Sequence, residues 1–289
     1  MKILLAGATG AAGRLIVPLL VAAGHEVVGT SRSAEKFPSI VAGGAQPMAL
    51  NVLDRDATFA ALRSARPQVV IHMLTDLAGL DFAANSRLRL EGSRNLVDAA
   101  LETGVARIIG ESIAWIYGPG TGPAAEDEPL DLAAPPPRGR MVEVVRSAEQ
   151  ALAGLPVGVI LRGGIFYGPG TWYAHDGLTT EQVRRGEIEA TDGVTSFIHV
   201  ADMAQAAVQA LEWPSGAVNI VDDEPAPGTE WVPYYASLVG APPPPVKPGA
   251  EPWERGASNA MARALGWRPA YPSWREGFKT ALVAPGGMS

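Results

Sequence analysis

Twice, fifty positions apart, the chain reads Tyr-Gly-Pro-Gly-Thr, at 117–121 and at 167–171. The second copy runs on into Trp172-Tyr173-Ala174-His175-Asp176, a stretch rich in groups that can hold or move a proton. Tyr173 or His175 could act as a general acid, with Asp176 orienting the imidazole, because a phenol or imidazole within hydrogen-bond reach of a reacting atom can protonate it. The same aromatic side chains could equally line an apolar substrate pocket. Ahead of the first copy stand Glu111-Ser112-Ile113 and Trp115, where Ser112 offers a hydroxyl. Outside a short apolar run the flanks of the two copies differ, so they mark two loops and not a duplication.

A different pattern concerns binding. GATGAAG puts Gly7, Gly10 and Gly13 directly after a short apolar run and at the start of a helical pattern. The first glycine permits a tight turn, the second lets a pyrophosphate approach the backbone, and the third lets helix and strand pack closely. The helix N-terminus adds N–H donors and a positive dipole. Gly7, Thr9, Gly10, Ala11, Ala12 and Gly13 are therefore expected to cradle a dinucleotide. The next strand ends Gly29-Thr30-Ser31-Arg32-Ser33, with no acid to hold a ribose 2′-hydroxyl. Ser31 and Arg32 point to the 2′-phosphate of NADP, with NAD as the alternative.

These groups need a scaffold that brings loops to one edge. Strand patterns at 2–7, 25–32, 45–52, 67–74, 105–112 and 156–164 alternate with helical ones at 13–24, 54–65, 88–104 and 140–154. Such alternation predicts an α/β fold, a doubly wound parallel (Rossmann) sheet with ligands beyond the carboxyl ends of its strands. Residues 1–164, rejoined by 191–224, read as the dinucleotide-binding domain. Residues 165–190 and 225–289 read as a smaller C-terminal substrate lobe, its 225–257 stretch as proline-rich connections. Trp231, Tyr234, Tyr235 and Trp253 interrupt those prolines, which favours packing over disorder.

Bulk properties set the limits. The 289 residues are 47% hydrophobic, enough for a sizeable core. With 23 basic against 30 acidic residues and no basic tract, nucleic acid and anionic membranes are not expected partners. The absence of cysteine excludes disulfides, thiolate metal sites and a cysteine nucleophile, and no ligand spacing suggests another metal site. Met1-Lys2 leads into the first strand without the layout of a signal peptide, so a cytoplasmic enzyme is the expectation.

With these motifs, the chain resembles the extended short-chain dehydrogenases/reductases, the NAD(P)-dependent epimerase/dehydratase-like group. The likeness spans GATGAAG, LNVLD (50–54), VVIHML (69–74), EGSRNLVDAA (91–100), RIIGESIAWIYG (107–118), LRGGIFYGPG (161–170), SFIHVADMA (196–204) and NAMARALGWRP (259–269). It implies that Asn51 and Val52 lie beside the adenine, that His72, Met73 and Leu74 run along the nicotinamide ribose, and that Gly164 and Ile165, after Gly163, pass near the nicotinamide. His199 and Tyr117 match residues with structural roles, and Arg162 is expected to pair inside the fold. A homodimer through the helices at 88–104 and 140–154 is also implied.

The departures are sharper. Aligned on Ala148-Glu149-Gln150, the slots of the family's tyrosine and lysine hold Met141 and Val145, neither of which can move a proton. The Ser/Thr slot holds Ile113, with Ser112 one residue earlier on the opposite strand face. An asparagine slot holds Arg89. The expectation is an atypical NADP-dependent reductase acting on a small, neutral or aromatic carbonyl or enone, with nothing resembling a cationic site for a nucleotide diphosphate. A non-redox lyase, cyclase or isomerase, or a dinucleotide-sensing regulator, are the alternatives.

Overall fold

A computed structural model gives the arrangement and describes residues 1–77 and 80–282; positions 283–289 of the expected lobe lie outside the described residues. Each apolar run of the first half becomes a sheet strand: β1 (Lys2–Ala6), β2 (Glu26–Ser31), β3 (Gln46–Ala49), β4 (Val69–His72), β5 (Arg107–Ile113) and β6 (Val157–Gly163). Between them run α1 (Gly13–Ala22), α2 (Phe37–Ala42), α3 (Arg55–Ala65), α4 (Phe82–Arg87), α5 (Ser93–Glu102) and α6 (Arg138–Leu152). A π-helical turn, Leu88–Gly92, joins α4 to α5. Then follow β7 (Ile165–Tyr167), α7 (Leu178–Arg184), β8 (Val194–Thr195), β9 (Phe197–His199), α8 (Val200–Gln209) and β10 (Gly216–Ile220). The last elements are β11 (Ala226–Pro227), α9 (Gly228–Leu238), α10 (Ala260–Ala264) and α11 (Trp274–Ala281).

The seven-stranded sheet has the order β10-β6-β5-β4-β1-β2-β3. Its direction of growth reverses between β1 and β4, the switch point at which doubly wound sheets bind ligands. β1 pairs in parallel with both neighbours, Leu4 opposite Val28 on one side and Val70 on the other. Strands buried on both faces need continuous apolar sequence, which KILLA and VVI supply.

By compactness the chain forms two units. One comprises Met1–Ser112, Leu132–Leu161 and Ala204–Val218; the other comprises Ile113–Asp131, Arg162–Met203 and the chain from Asn219. The second thus takes in 113–131, 162–164, 191–203 and 219–224, which the sequence pattern assigns to the dinucleotide-binding domain. The first unit packs Leu4, Val28, Val70 and Ile108 of the sheet against Leu62, Leu96 and Leu152. The second is built on aromatic residues: Tyr167, Phe197, Trp231, Tyr235, Trp274 and Phe278 share one core. Full burial of a side chain such as Phe197 or Phe278 contributes about 2–3 kcal/mol.

The stretch 225–257 is more ordered than its prolines suggest. It contains α9, which starts directly after Pro227 and carries Pro233 inside it. Proline disrupts a helix interior but suits the first turn, so the sequence pattern there reads as a break. Trp231 and Tyr235, four residues apart and so on one helix face, are buried and hold α9 to the aromatic core. Among the described residues no helix is long and apolar enough to cross a membrane.

Candidate active site

The glycine turn after β1 has the shape its sequence requires. Gly7 adopts φ +93°, and a Cβ there would lie 2.8 Å from the Met73 carbonyl oxygen, so the end of β4 can come this close only to a glycine. A Cβ on Gly13 would collide with the Gly7 carbonyl. Gly10 differs: it is exposed, and the nearest atom to its missing Cβ is the Gly7 oxygen at 3.4 Å. Open space over Gly10 is what a pyrophosphate needs. At the start of α1, Ala12 provides no side-chain cap; the Arg14 N–H donates to the Gly10 carbonyl (3.1 Å) and the Leu15 N–H to the Ala12 carbonyl (2.9 Å), so what α1 presents to an anion is the positive end of its dipole. A dinucleotide fits this cradle.

The neighbouring groups lie in the same unit. Ser31 is buried at the end of β2, whereas Arg32 is exposed and reaches both oxygens of Asp76, at 3.1 and 3.3 Å. Asn51 is exposed and Val52 buried; the Val52 carbonyl accepts from Asn95 Nδ2 of α5 at 2.9 Å, which fixes this loop. His72 is buried at the tip of β4. Its Nδ1 accepts from the Leu74 N–H (3.3 Å), so the neutral ring carries its proton on Nε2 and donates to Ser93 Oγ (2.9 Å). Burial, aided by the charge of Arg89, lowers the His72 pKa to about 4 and keeps the ring neutral. Met73 is buried and Leu74 partly so.

Arg89, in the family's asparagine slot, lies on the π-helical turn and is buried. Its Nη2 sits 3.3 Å from Glu111 Oε1, and both side chains are only 9% exposed. Burial pushes the Glu111 pKa up, while the charge and hydrogen bond of Arg89 oppose the rise. From sequence Arg89 stands out only as a departure at its slot, and its pairing with Glu111 emerges from the fold. Ser112, one residue on, faces the other way and donates to Glu149 Oε1 of α6 at 2.6 Å. It is 1% exposed, so its hydroxyl serves the packing of α6. On α6 itself, Val145 is buried and Met141 partly buried.

In the second unit the two Tyr-Gly-Pro-Gly-Thr loops have different tasks. Tyr117 accepts from Arg162 Nη1 (2.8 Å) and donates to Asn219 Oδ1 (2.7 Å), so Arg162 does pair within the fold. Arg255 ties the first loop down by donating to the carbonyls of Gly118 and Gly122, each at 3.1 Å, and by pairing with Glu128. Tyr167 of the second loop enters the aromatic core, edge-on to His199 and Phe278 with ring centres 5.1 Å away in each case. His199 is buried against Tyr271, accepts from the Ala201 N–H on Nδ1 and has its pKa lowered to about 4 by burial.

Tyr173 packs among Phe197, Trp231, Tyr235 and Phe278. Burial raises its phenol pKa further above the usual value, which makes it a poorer acid. His175 Nε2 lies 3.5 Å from Arg184 Nη2, and Asp176 is exposed. Ser112 belongs to one unit and Tyr173 to the other. Gly164 is pressed against β9, where a Cβ would come 2.7 Å from the Ser196 carbonyl oxygen, and Ile165 donates its N–H to that same oxygen at 2.9 Å.

The sequence model of the NAD dependent epimerase/dehydratase family matches residues 3–221. The chain belongs to this family. A curated relative, a 3-diazoavenalumate denitrifying reductase from Streptomyces sp, is 41% identical over 304 aligned positions that cover 96% of this chain and 99% of that protein. Among solved structures, the UDP-glucose 4-epimerase of Thermus thermophilus in complex with NAD has a TM-score of 0.78 at 25% identity and covers 98% of each chain. The Thermotoga maritima UDP-glucose 4-epimerase with UDP-glucose has the same fold, with a TM-score of 0.78 at 23% identity, covering 98% of this chain and 97% of that one. This family member is an NAD(P)-dependent enzyme of the oxidoreductase type.

Proposed function

We propose that the enzyme is an NADPH-dependent reductase that removes the nitrogen from a small diazo-bearing aromatic molecule in its diazonium form. The observation that carries this reading is the pair Met141 and Val145, standing on α6 where the family resemblance puts a proton-moving tyrosine and its lysine. Reduction of a carbonyl or enone needs a hydride and a proton. Reduction of a diazonium needs only the hydride, so it suits a site that has given up its relay better than the carbonyl or enone expected from sequence. The 41% identity to a reductase named for a diazo compound supports the same choice.

A reduced nicotinamide supplies that hydride when bound: a C–H bond forms, the C–N bond breaks, and its electron pair leaves with dinitrogen. The task of the protein is positioning. The Gly7–Gly13 turn would hold the pyrophosphate, Asn51 and Val52 would flank the adenine, and His72 to Leu74 would line the ribose. Ser31 and Arg32 take the 2′-phosphate of NADP, for which Arg32 exchanges its exposed contact with Asp76, a pair of the kind worth about 0–1 kcal/mol. Ser112, Tyr173 and His175 have no proton to deliver in this reaction.

The test uses the full chain, NADPH deuterated at the transferred position and a stable arenediazonium salt, with an enzyme-free control. Loss of absorbance at 340 nm should match dinitrogen release one for one, and deuterium should appear on the carbon that bore the nitrogen. Oxidation no faster than the control, or product without deuterium, would overturn the proposal.

A further inference from the structure

A cavity of about 220 Å³ lies within the second unit, lined among others by Trp115, Tyr117, Ile165, Thr195, Trp253 and Glu254. A cavity of about 150 Å³ accepts benzene, so this one has room for one substituted ring. Its lining is aromatic and apolar, and Glu254 carries the only full charge among the described lining residues.

The carboxylate is held in place by its surroundings. Glu254 Oε2 accepts from the Glu251 N–H at 2.8 Å, which leaves Oε1 for another partner. It occupies space that a side chain at 193 would take, since a Cβ on Gly193 would come 2.5 Å from that same Oε2. The two segments that carry the wall are clipped together: the Val194 N–H donates to the Glu254 carbonyl (3.0 Å), and the Ala257 N–H donates to Ser196 Oγ (2.9 Å). The Tyr117 ring already has the Arg162 guanidinium 5.2 Å from its centre, so the indoles of Trp115 and Trp253 with one fixed carboxylate are the groups that attract a planar cation and repel a phosphate. Ile165, assigned beside the nicotinamide by the family resemblance, lines the same cavity.

We infer that this cavity is a binding site for a small planar aromatic cation, with Glu254 as its counter-charge and the indoles of Trp115 and Trp253 as its walls. On the diazo-reductase reading, on which the identity of the natural ligand rests, the occupant is the diazonium-bearing ring. Ring recognition then comes from stacking and charge selection from Glu254, which favours the diazonium over its neutral isosteres.

The test is calorimetric titration of the full chain, without dinucleotide, with benzamidinium and with neutral benzamide. Wild type should bind benzamidinium about tenfold tighter, the scale of one counter-charge contact. Glu254→Gln should erase the preference, Glu254→Asp should keep part of it, and Trp253→Leu should weaken both ligands. Retained NADPH binding shows that each variant is folded. Equal affinities in wild type, a preference that survives in Glu254→Gln, or no binding of either ligand would overturn the inference. In turnover with an arenediazonium salt, Glu254→Gln should raise KM about tenfold and change kcat little. A wild type that does not reduce diazonium salts yet prefers benzamidinium through Glu254 would sink the diazo-reductase reading and leave the cation site standing.

Discussion

Replacing Arg89 with methionine removes one half of a buried ion pair and leaves the other half in place. Arg89 and Glu111 are each 9% exposed in their side chains and 3.3 Å apart, so the stranded carboxylate has little water to turn to. Loss of one partner from such a pair costs about 3–5 kcal/mol. For a chain of this size, at roughly 2–4 °C per kcal/mol, the midpoint of thermal unfolding should fall on the order of 10 °C. The loss should also depend on pH. Burial already raises the Glu111 pKa above 4.5, and Arg89 opposes that rise, so removing Arg89 raises it further. A carboxyl with a raised folded pKa binds more protons folded than unfolded, and stability falls as pH climbs from about 4.5 through the folded value. Arg89→Met should therefore lose more stability at pH 8 than at pH 5. The double variant Arg89→Met/Glu111→Leu should recover most of the loss, because a well-packed apolar pair can replace a buried ionic one. Circular dichroism melts of wild type, both single variants and the double variant at the two pH values measure all of this. A deficit below about 1 kcal/mol for Arg89→Met, an equal deficit at both pH values, or additive single losses would refute the reasoning.

Three further outcomes are expected. Arg32→Glu should weaken NADPH binding at least tenfold while leaving NADH binding nearly unchanged, since a carboxylate there repels the extra phosphate; equal effects on the two in a fluorescence titration would contradict the NADP assignment. Gly10→Val should abolish dinucleotide binding with little change in the melting midpoint, because a Cβ at Gly10 meets the protein only at 3.4 Å and fills the ligand's space; binding by this variant would falsify the cradle. Tyr173→Phe should keep NADPH binding and turnover within about threefold, as expected of a ring held by aromatic contacts and not of a proton donor. A hundredfold fall in kcat, the lower end of general-acid contributions, would restore its catalytic role.

The sheet and the glycine turn were legible because their signals are local. The run KILLA, the three-residue spacing of Gly7, Gly10 and Gly13, and the helical pattern that follows all fall within residues 2–24. α9 was not, because Pro225, Pro227 and Pro233 hide a helix whose stability comes from burying Trp231 and Tyr235 in distant aromatic partners. At Tyr173 the chemistry of a phenol is visible in sequence, while the aromatic neighbours Phe197, Trp231, Tyr235 and Phe278 come from distant segments. Arg89 stood out as a departure, but its partner Glu111 lies 22 positions away on another element. The cavity wall was the least accessible: it joins residues 194–196 to residues 253–257, and no spacing rule connects segments so far apart.

Arg255 has a consequence for how such an enzyme diversifies. It is 7% exposed in its side chain and, together with Ala257, carries the attachment of its segment, through Gly118, Gly122, Glu128 and Ser196. The side chains of Trp253 and Glu254, immediately before it, line the cavity, while the Glu254 backbone carbonyl helps to hold the segment by accepting from Val194. Anchorage by Arg255 and the backbone is thus separate from these two side chains, so on the cation-site proposal a lineage can rewrite both of them and acquire a new ligand without renegotiating the fold around them.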